Sequence, residues 1–250
     1  MTYRLFETPP EAFRRDVLEF FTGDGQGCNV TLPHKRAAAE LVNDMTPRAR
    51  LADAVNTILR TSGTLIGDNT DGAGLLRDLE LNLKLKLAGS RILLLGAGGA
   101  ARGVIGPLLA AKPGTFVIAN RTEERGLELA AEFAKLGPVT GAAFNAIDTH
   151  RPFDLIINAT SASLKGDVPA ISSATVGSRT SCYDMAYGIG ETPFTQWARD
   201  RAAGLTAQGW GMLIEQAAEA FFLWRGVRPA TAPVFEALRN RAATMARNPV

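Results

Sequence analysis

Two hydrophobic periods alternate along this chain. Short apolar or alternating runs predict strands, and runs with apolar residues three and four apart predict the helices between them. Residues 2–7 alternate as a strand, and Pro9-Pro10 then opens a helix whose apolar face is Phe13, Val17, Phe20 and Phe21. A glycine turn over residues 23–27 leads to a strand at 28–32. Pro33 suits the first turn of the next helix, which carries Lys35 and runs towards Val42. Thr46 can cap a short helix ahead of a strand at 55–59, which turns at Ser62-Gly63 into Leu65-Ile66-Gly67. These elements make a first α/β unit ending near Gly72.

A helix over about 74–85 leads to the apolar run Ile92-Leu93-Leu94-Leu95 and, at once, Gly96-Ala97-Gly98-Gly99-Ala100-Ala101. The helix implied by Val104, Ile105, Leu108 and Leu109 contains Pro107, which should kink or shorten it. The next strand, Phe116-Val117-Ile118-Ala119, ends in Asn120-Arg121-Thr122-Glu123-Glu124-Arg125. Strands at 153–158 and 180–185, a helix at 193–201, a helix marked by Leu213, Ile214, Ala217, Ala218, Phe221 and Phe222 with Gly226 as its stop, and a last helix over 233–245 complete the pattern.

The strand, glycine turn and helix from residue 91 onwards read as a dinucleotide site. Gly96 permits the tight turn, Gly98 lets the backbone approach a pyrophosphate, and Ala101 is small enough for close packing of helix on strand. The helix N-terminus then presents N–H groups and positive charge to the anion. An acid at the end of the second strand would bind a ribose 2′-hydroxyl and repel a 2′-phosphate. This chain has Asn120, Arg121 and Arg125 there, and guanidinium groups pair with phosphate, so the pattern favours NADP over NAD. The competing reading makes Arg121 and Arg125 a solvated helix start, paired with Glu123 and Glu124.

Composition narrows the classes. Hydrophobic residues make up 46% of 250, enough for two cores, and 27 basic residues nearly balance 25 acidic ones with no basic block interleaved with aromatics, which argues against nucleic acid. Cys28 and Cys182 lie far apart and read as buried reduced thiols, and two histidines, His34 and His150, do not make a metal cluster. His34 either tunes its neighbour Lys35 or is a solvated helix-start histidine. No run approaches the ~18 apolar residues of a membrane span, and the N-terminus carries no signal core, so a soluble cytoplasmic protein with no membrane partner is expected.

Six stretches in order carry a resemblance: Asn29-Val30-Thr31-Leu32-Pro33-His34-Lys35, Ala54-Val55-Asn56-Thr57, Gly67-Asp68-Asn69-Thr70-Asp71-Gly72, the glycine turn, Tyr183-Asp184-Met185-Ala186-Tyr187, and residues 209–216. Together they resemble the shikimate dehydrogenases, from about Tyr3 to the last helix. The resemblance implies a two-domain α/β fold with the active site between the domains. A substrate domain would comprise residues 1–72 plus 210–250, completed by the C-terminal helices, and a Rossmann-like NADP-binding domain residues 73–209. It further implies reversible, NADPH-dependent reduction of 3-dehydroshikimate to shikimate, in chorismate and aromatic amino-acid synthesis, by a monomer or homodimer.

Ketone reduction requires a proton for the developing alkoxide, and a positioned lysine can donate it or take it back in reverse. By resemblance Lys35 has that role, with Asp71 holding the substrate hydroxyl and the lysine together. Thr31, Asn56, Tyr187 and Gln216 match the family's polyol and carboxylate contacts. For the cofactor the match adds Asn158, Ala159, Thr160, Ser161, Met185, Gly209 and Met212 to Gly96, Ala97, Gly98, Gly99, Ala100, Asn120, Arg121, Thr122 and Arg125. Taken singly, Lys35 also reads as an exposed helix lysine, Asp71 as a helix N-cap, Gln216 as an exposed helix residue, Tyr187 as a core aromatic with a wet tip, and Asn158 as an Asx-turn residue. A quinate or shikimate enzyme that prefers NAD is the alternative within the same chemistry.

The family pattern begins with a strand, a Ser-x-Ser motif that grips the substrate carboxylate, and a helix. Tyr3 aligns with the family's second strand, so an NADP-binding protein of impaired activity, shortened at its N-terminus, is a further expectation. Ser163 stands where the family usually has Gly, Gln208 where an acid or Asn precedes Gly209, and Pro47 where an acid is common.

Overall fold

The computed structural model describes the backbone of residues 1–247 and the side chains of residues 1–238 and 240. Residues 248–250, which the expected substrate domain includes, lie outside the described residues.

The first unit comprises α1 (Phe13–Thr22), β1 (Gly27–Asn29), α2 (Lys35–Leu41), β2 (Asp44–Met45), α3 (Pro47–Ala52), β3 (Thr57–Thr61) and β4 (Thr64–Asp68). Its four strands lie in the order β1-β3-β4-β2, antiparallel except for β2 beside β4. Phe13, Phe21, Val30, Val55 and Ile58 fill its core. Thr46 caps α3 by accepting from the Ala49 N–H, with Pro47 at the first helical position, where the missing N–H costs nothing. The β3–β4 turn places Ser62 at φ 52° and Gly63 at φ 80°.

The expected strand at residues 2–7 does not form. Those residues are irregular, and Leu5 is 94% exposed, because no neighbouring strand supplies hydrogen bonds to their backbone. The strand expected over 28–32 also stops at Asn29, where the register with β3 ends.

Helix α4 (Asp71–Arg77) starts three residues before the position expected for it and runs into a π-turn, Asp78–Asn82. The second unit follows with β5 (Arg91–Leu95), α5 (Gly99–Ala110), β6 (Thr115–Asn120), α6 (Glu123–Phe133), β7 (Val139–Ala143), β8 (Leu155–Asn158), β9 (Ser181–Asp184), α7 (Pro193–Arg199) and β10 (Leu205–Gln208). All six strands are parallel, in the order β10-β9-β8-β5-β6-β7. Relabelled from β5, this is the doubly wound 3-2-1-4-5-6 order, whose ligand crevice lies beyond the carboxyl ends of the strands where the order reverses. The two inner strands β5 and β8 are almost wholly buried, as a sheet covered on both faces demands.

Pro107, expected to kink or shorten its helix, does not shorten α5, which continues to Ala110. The proline leaves the Gly103 carbonyl without its helical donor, and α4 packs there through Gly72, where a Cβ would lie 2.6 Å from both the Gly103 oxygen and Pro107 Cγ.

Helix α8 (Trp210–Arg225), stopped by Gly226 at φ 69°, returns from the parallel sheet to lie along α4, and α9 (Ala232–Arg247) follows it. Charged groups pin α8 to the first unit. Arg48 on α3 donates to both oxygens of buried Asp68, at 2.6 and 2.8 Å, and to Glu219 of α8 at 2.9 Å. Asp68 also accepts from Thr46 Oγ1 at 2.6 Å, so the buried carboxylate is fully engaged. At the first turn of α8, Gly211 leaves room for the Asp78 carboxylate, whose Oδ1 would lie 2.0 Å from a Cβ there.

Candidate active site

Four residues expected at the substrate site meet in one hydrogen-bonded cluster, although they come from α2, the approach to β3, the start of α4 and the middle of α8. Lys35 Nζ lies 2.5 Å from Asp71 Oδ2, and Asn56 Nδ2 donates to Asp71 Oδ1 at 2.8 Å. Asn56 Nδ2 also reaches Thr70 Oγ1 at 2.9 Å and Gln216 Oε1 at 3.4 Å, and Asn56 Oδ1 accepts from the Thr70 N–H at 2.9 Å. Thr70 Oγ1 donates to Gln216 Oε1 at 3.2 Å. The Lys35 side chain is 25% exposed and that of Asp71 13%, so the pair opens to solvent on one side, while Asn56 beneath it is buried.

This geometry settles three alternative readings. Asp71 is the first residue of α4, and its carboxylate faces Lys35 and Asn56 instead of capping the helix. Lys35 is paired, so it is not a free surface lysine. The His34 ring turns to Phe13 and Thr8 instead of standing in solvent. It stacks on Phe13 at 4.6 Å, and Nε2 lies 2.8 Å from the Thr8 carbonyl, which ties down the chain before α1. Thr70 belongs to the cluster but was not singled out by the sequence; its place beside Asp71, at the turn into a helix, was the available signal.

Thr31 and Tyr187 stand apart from the cluster. Thr31 is exposed and, among the described residues, makes no side-chain hydrogen bond. Tyr187 is 44% exposed and rests its ring on Trp210, with centroids 4.5 Å apart.

The expected cofactor residues line the carboxyl end of the parallel sheet. Gly96 follows β5 at φ 106°, a conformation costly for any other residue, and nothing lies within 4 Å of where a Cβ of Gly98 or Gly99 would stand. That open space faces the first turn of α5, whose N–H groups lack carbonyl partners within the helix. Arg121 and Arg125 are exposed, and among the described residues neither makes an ion pair or hydrogen bond, so the pairing with Glu123 and Glu124 in the competing reading does not occur. Asn120 turns its amide to the Thr122 carbonyl at 2.8 Å. An open glycine cradle, a helix N-terminus and two free guanidinium groups fit a phosphorylated dinucleotide.

Asn158 departs from a free cofactor contact. It is fully buried: its Oδ1 accepts from the Thr160 N–H at 3.1 Å and Oγ1 at 2.7 Å, the Asx-turn arrangement, and its Nδ2 donates to Asp184 at 3.1 Å and to Ser163 at 3.2 Å. Its work is to shape the turn that carries Ala159, Thr160 and Ser161. Asp184 is the hub of this loop and accepts also from Ser163 Oγ and Thr192 Oγ1, both at 2.6 Å, and from the Ala186 N–H at 3.1 Å. Burial pushes the Asp184 carboxyl above its usual range, although these donors pull the other way. Ser163 thereby anchors a loop where glycine was expected. Met185 and Gly209 are in backbone contact, and Met212 donates its N–H to Tyr183 Oη at 3.2 Å.

Comparison with known proteins agrees along the whole length. Residues 1–58 match the shikimate dehydrogenase substrate binding domain, 79–168 the shikimate/quinate 5-dehydrogenase family, and 209–239 the shikimate 5′-dehydrogenase C-terminal domain. A shikimate dehydrogenase (NADP(+)) from Methylococcus capsulatus is 51% identical over 98% of this chain and 88% of its own. Among solved structures, an Ael1 enzyme from Pseudomonas putida superposes with a TM-score of 0.88 at 42% identity, over 93% of this chain and 85% of its own. The shikimate 5-dehydrogenase of Thermus thermophilus, solved with NADP(H) and shikimate, gives 0.80 at 32% identity, over 95% and 86%. With the Lys35–Asp71–Asn56 cluster, the glycine cradle and the doubly wound sheet in place, these likenesses establish that the chain belongs to the shikimate dehydrogenase family.

Proposed function

We propose that this protein catalyses the reversible, NADP-dependent reduction of 3-dehydroshikimate to shikimate in the route to chorismate and the aromatic amino acids. The observation that carries this reading is the Lys35–Asp71–Asn56 cluster, open to solvent on one side. The reduced nicotinamide, when bound, supplies the hydride to the carbonyl carbon. Lys35 donates the proton that the developing alkoxide needs and is reprotonated from the solvent side. Asp71 holds that ammonium through Oδ2 and accepts from a substrate hydroxyl, while Asn56 fixes its other oxygen. Gln216, Thr31 and Tyr187 bind the remaining hydroxyls and the carboxylate, and a site built on such bonds rejects analogues lacking them.

The glycine cradle takes the pyrophosphate, and Arg121 and Arg125 take the 2′-phosphate. In this reading, residues 1–72 with 210–250 form the substrate unit and 73–209 the cofactor unit, with closure across the cleft. The place of action is the cytoplasm; among the described residues no helix is long and apolar enough to cross a membrane.

The test is shikimate oxidation followed by cofactor absorbance with NADP+ and NAD+, and quinate oxidation alongside. NADP+ with shikimate should exceed either substitution by at least about tenfold in kcat/KM, the value of one lost charge-assisted contact. Equal use of NAD+ would overturn the cofactor assignment, and faster quinate turnover the substrate assignment.

A further inference from the structure

The loop that carries Tyr187 is gripped by the chain that leaves β10. Gln208, the last residue of β10, lies opposite Asp184 of β9, so its side chain stands beside the loop that leaves β9. Its Oε1 accepts from the Gly188 N–H at 3.0 Å, and its Nε2 donates to the Gly190 carbonyl at 2.5 Å. The next residue, Gly209, donates its N–H to the Ala186 carbonyl at 3.1 Å, and a Cβ there would lie 2.3 Å from the Met185 oxygen, so the two backbones touch. Trp210 then supplies the surface on which the Tyr187 ring lies. Three consecutive residues therefore grip residues 185–190 by an amide, a backbone contact and an indole.

We propose that Gln208 and Trp210 are positioning residues that fix Tyr187 for the substrate before it arrives. The proposal rests on the reading of Tyr187 as a substrate contact. Gly188 and Gly190, the latter at φ 82°, leave this loop free to adopt many conformations. Ordering it on binding would cost conformational entropy, and a clamp made in advance removes that cost from the binding step. The amide at position 208 accepts from one backbone group through its oxygen and donates to another through its nitrogen. A carboxylate could hold the Gly188 N–H but not the Gly190 carbonyl. The indole adds a face that stops the half-exposed phenol from turning away.

The effect should fall on substrate affinity and leave the chemical step alone. In the full-length protein, Gln208→Ala and Trp210→Leu should each raise KM for shikimate about tenfold, with kcat within about threefold and NADP+ affinity unchanged. Gln208→Glu should lie between the native protein and Gln208→Ala, and being nearly isosteric it carries the same test if the alanine variant does not fold. Hydrogen exchange at the Gly188 amide should quicken in Gln208→Ala. The double variant Gln208→Ala/Tyr187→Phe should be no worse than Tyr187→Phe alone, since both remove the same contribution. Additive losses in the double variant, or unchanged Gly188 exchange, would overturn the clamp. If Tyr187→Phe is itself kinetically silent, the reading of Tyr187 as a substrate contact fails, and the proposal with it.

Discussion

The two halves of the proposed site are prepared in opposite ways. In the substrate half, Lys35, Asn56, Thr70, Asp71 and Gln216 already satisfy one another, each polar group held by a neighbour from a different segment. In the cofactor half, Gly98 and Gly99 border open space and Arg121 and Arg125 have no partner among the described residues. The difference follows from what each half must receive. A polyanion brings its own strong acceptors, so the cradle can leave donors and cations exposed to water at little cost. The reacting carbonyl of the proposed substrate is a weak acceptor, and its reduction needs a proton at a fixed point, so the lysine must be oriented beforehand.

Removing the ammonium tests that contrast most severely. Lys35→Ala should lower kcat by about a thousandfold while leaving NADP+ affinity intact, as read by steady-state kinetics and calorimetric titration. If cofactor binding fell equally, the halves would not be separable. Next in size, Arg48→Ala strands the buried Asp68 carboxylate and loosens α8 from α3. It should cost about 3–5 kcal/mol in urea unfolding, because a buried charge is left unpaired. Glu219 would keep its second ion partner, Arg228, so a much smaller loss would mean that α8 is held chiefly from that side.

Arg121→Ala with Arg125→Ala should weaken NADP+ binding by roughly ten- to a hundredfold, leave NAD+ binding nearly unchanged and not alter KM for shikimate. A comparable loss for NAD+ would show that the arginines bind the pyrophosphate instead of a 2′-phosphate. The smallest effect is on pH dependence. Asp184 is held above its unfolded value of 3.8, so the folded state binds that proton more tightly. Its contribution to stability is full below that value and is lost as pH rises through the folded-state value. Asp184→Asn has nothing to ionise and should show a flatter stability profile than the native protein as pH rises above 3.8. Parallel profiles would remove burial of this carboxyl from the account.

The same contrast explains what could be read from the sequence. The glycine cradle and its arginines are local: one turn, one helix start and one strand end lie within residues 96–125, so their chemistry is visible in a single window. The substrate half joins Asn56 to Gln216 across 160 positions, and no periodicity announces that meeting; it was legible only through the family likeness. The strands β7 and β10 escaped notice because they are the two edges of the parallel sheet, half-buried and less apolar than the strands between them. Within β7, Gly141 marks the close approach of α6, where a Cβ would stand 2.6 Å from Gly126. Residues 2–7 erred in the other direction, since alternation supplies a strand's faces but not the neighbour its backbone needs. From its own helix alone Pro107 is expected to kink or shorten it, whereas Gly72 of α4 packs against the carbonyl it leaves free and α5 runs on to Ala110.

The return of α8 also sets an order of assembly. Every strand of the parallel sheet has been made once residue 208 leaves the ribosome, so the cofactor unit can close while synthesis continues. The hydrogen-bonded cluster around Asn56 and Thr70 must wait for Gln216, which emerges later. In the proposed reading, a nascent chain therefore makes most of its nucleotide side before the substrate side can close.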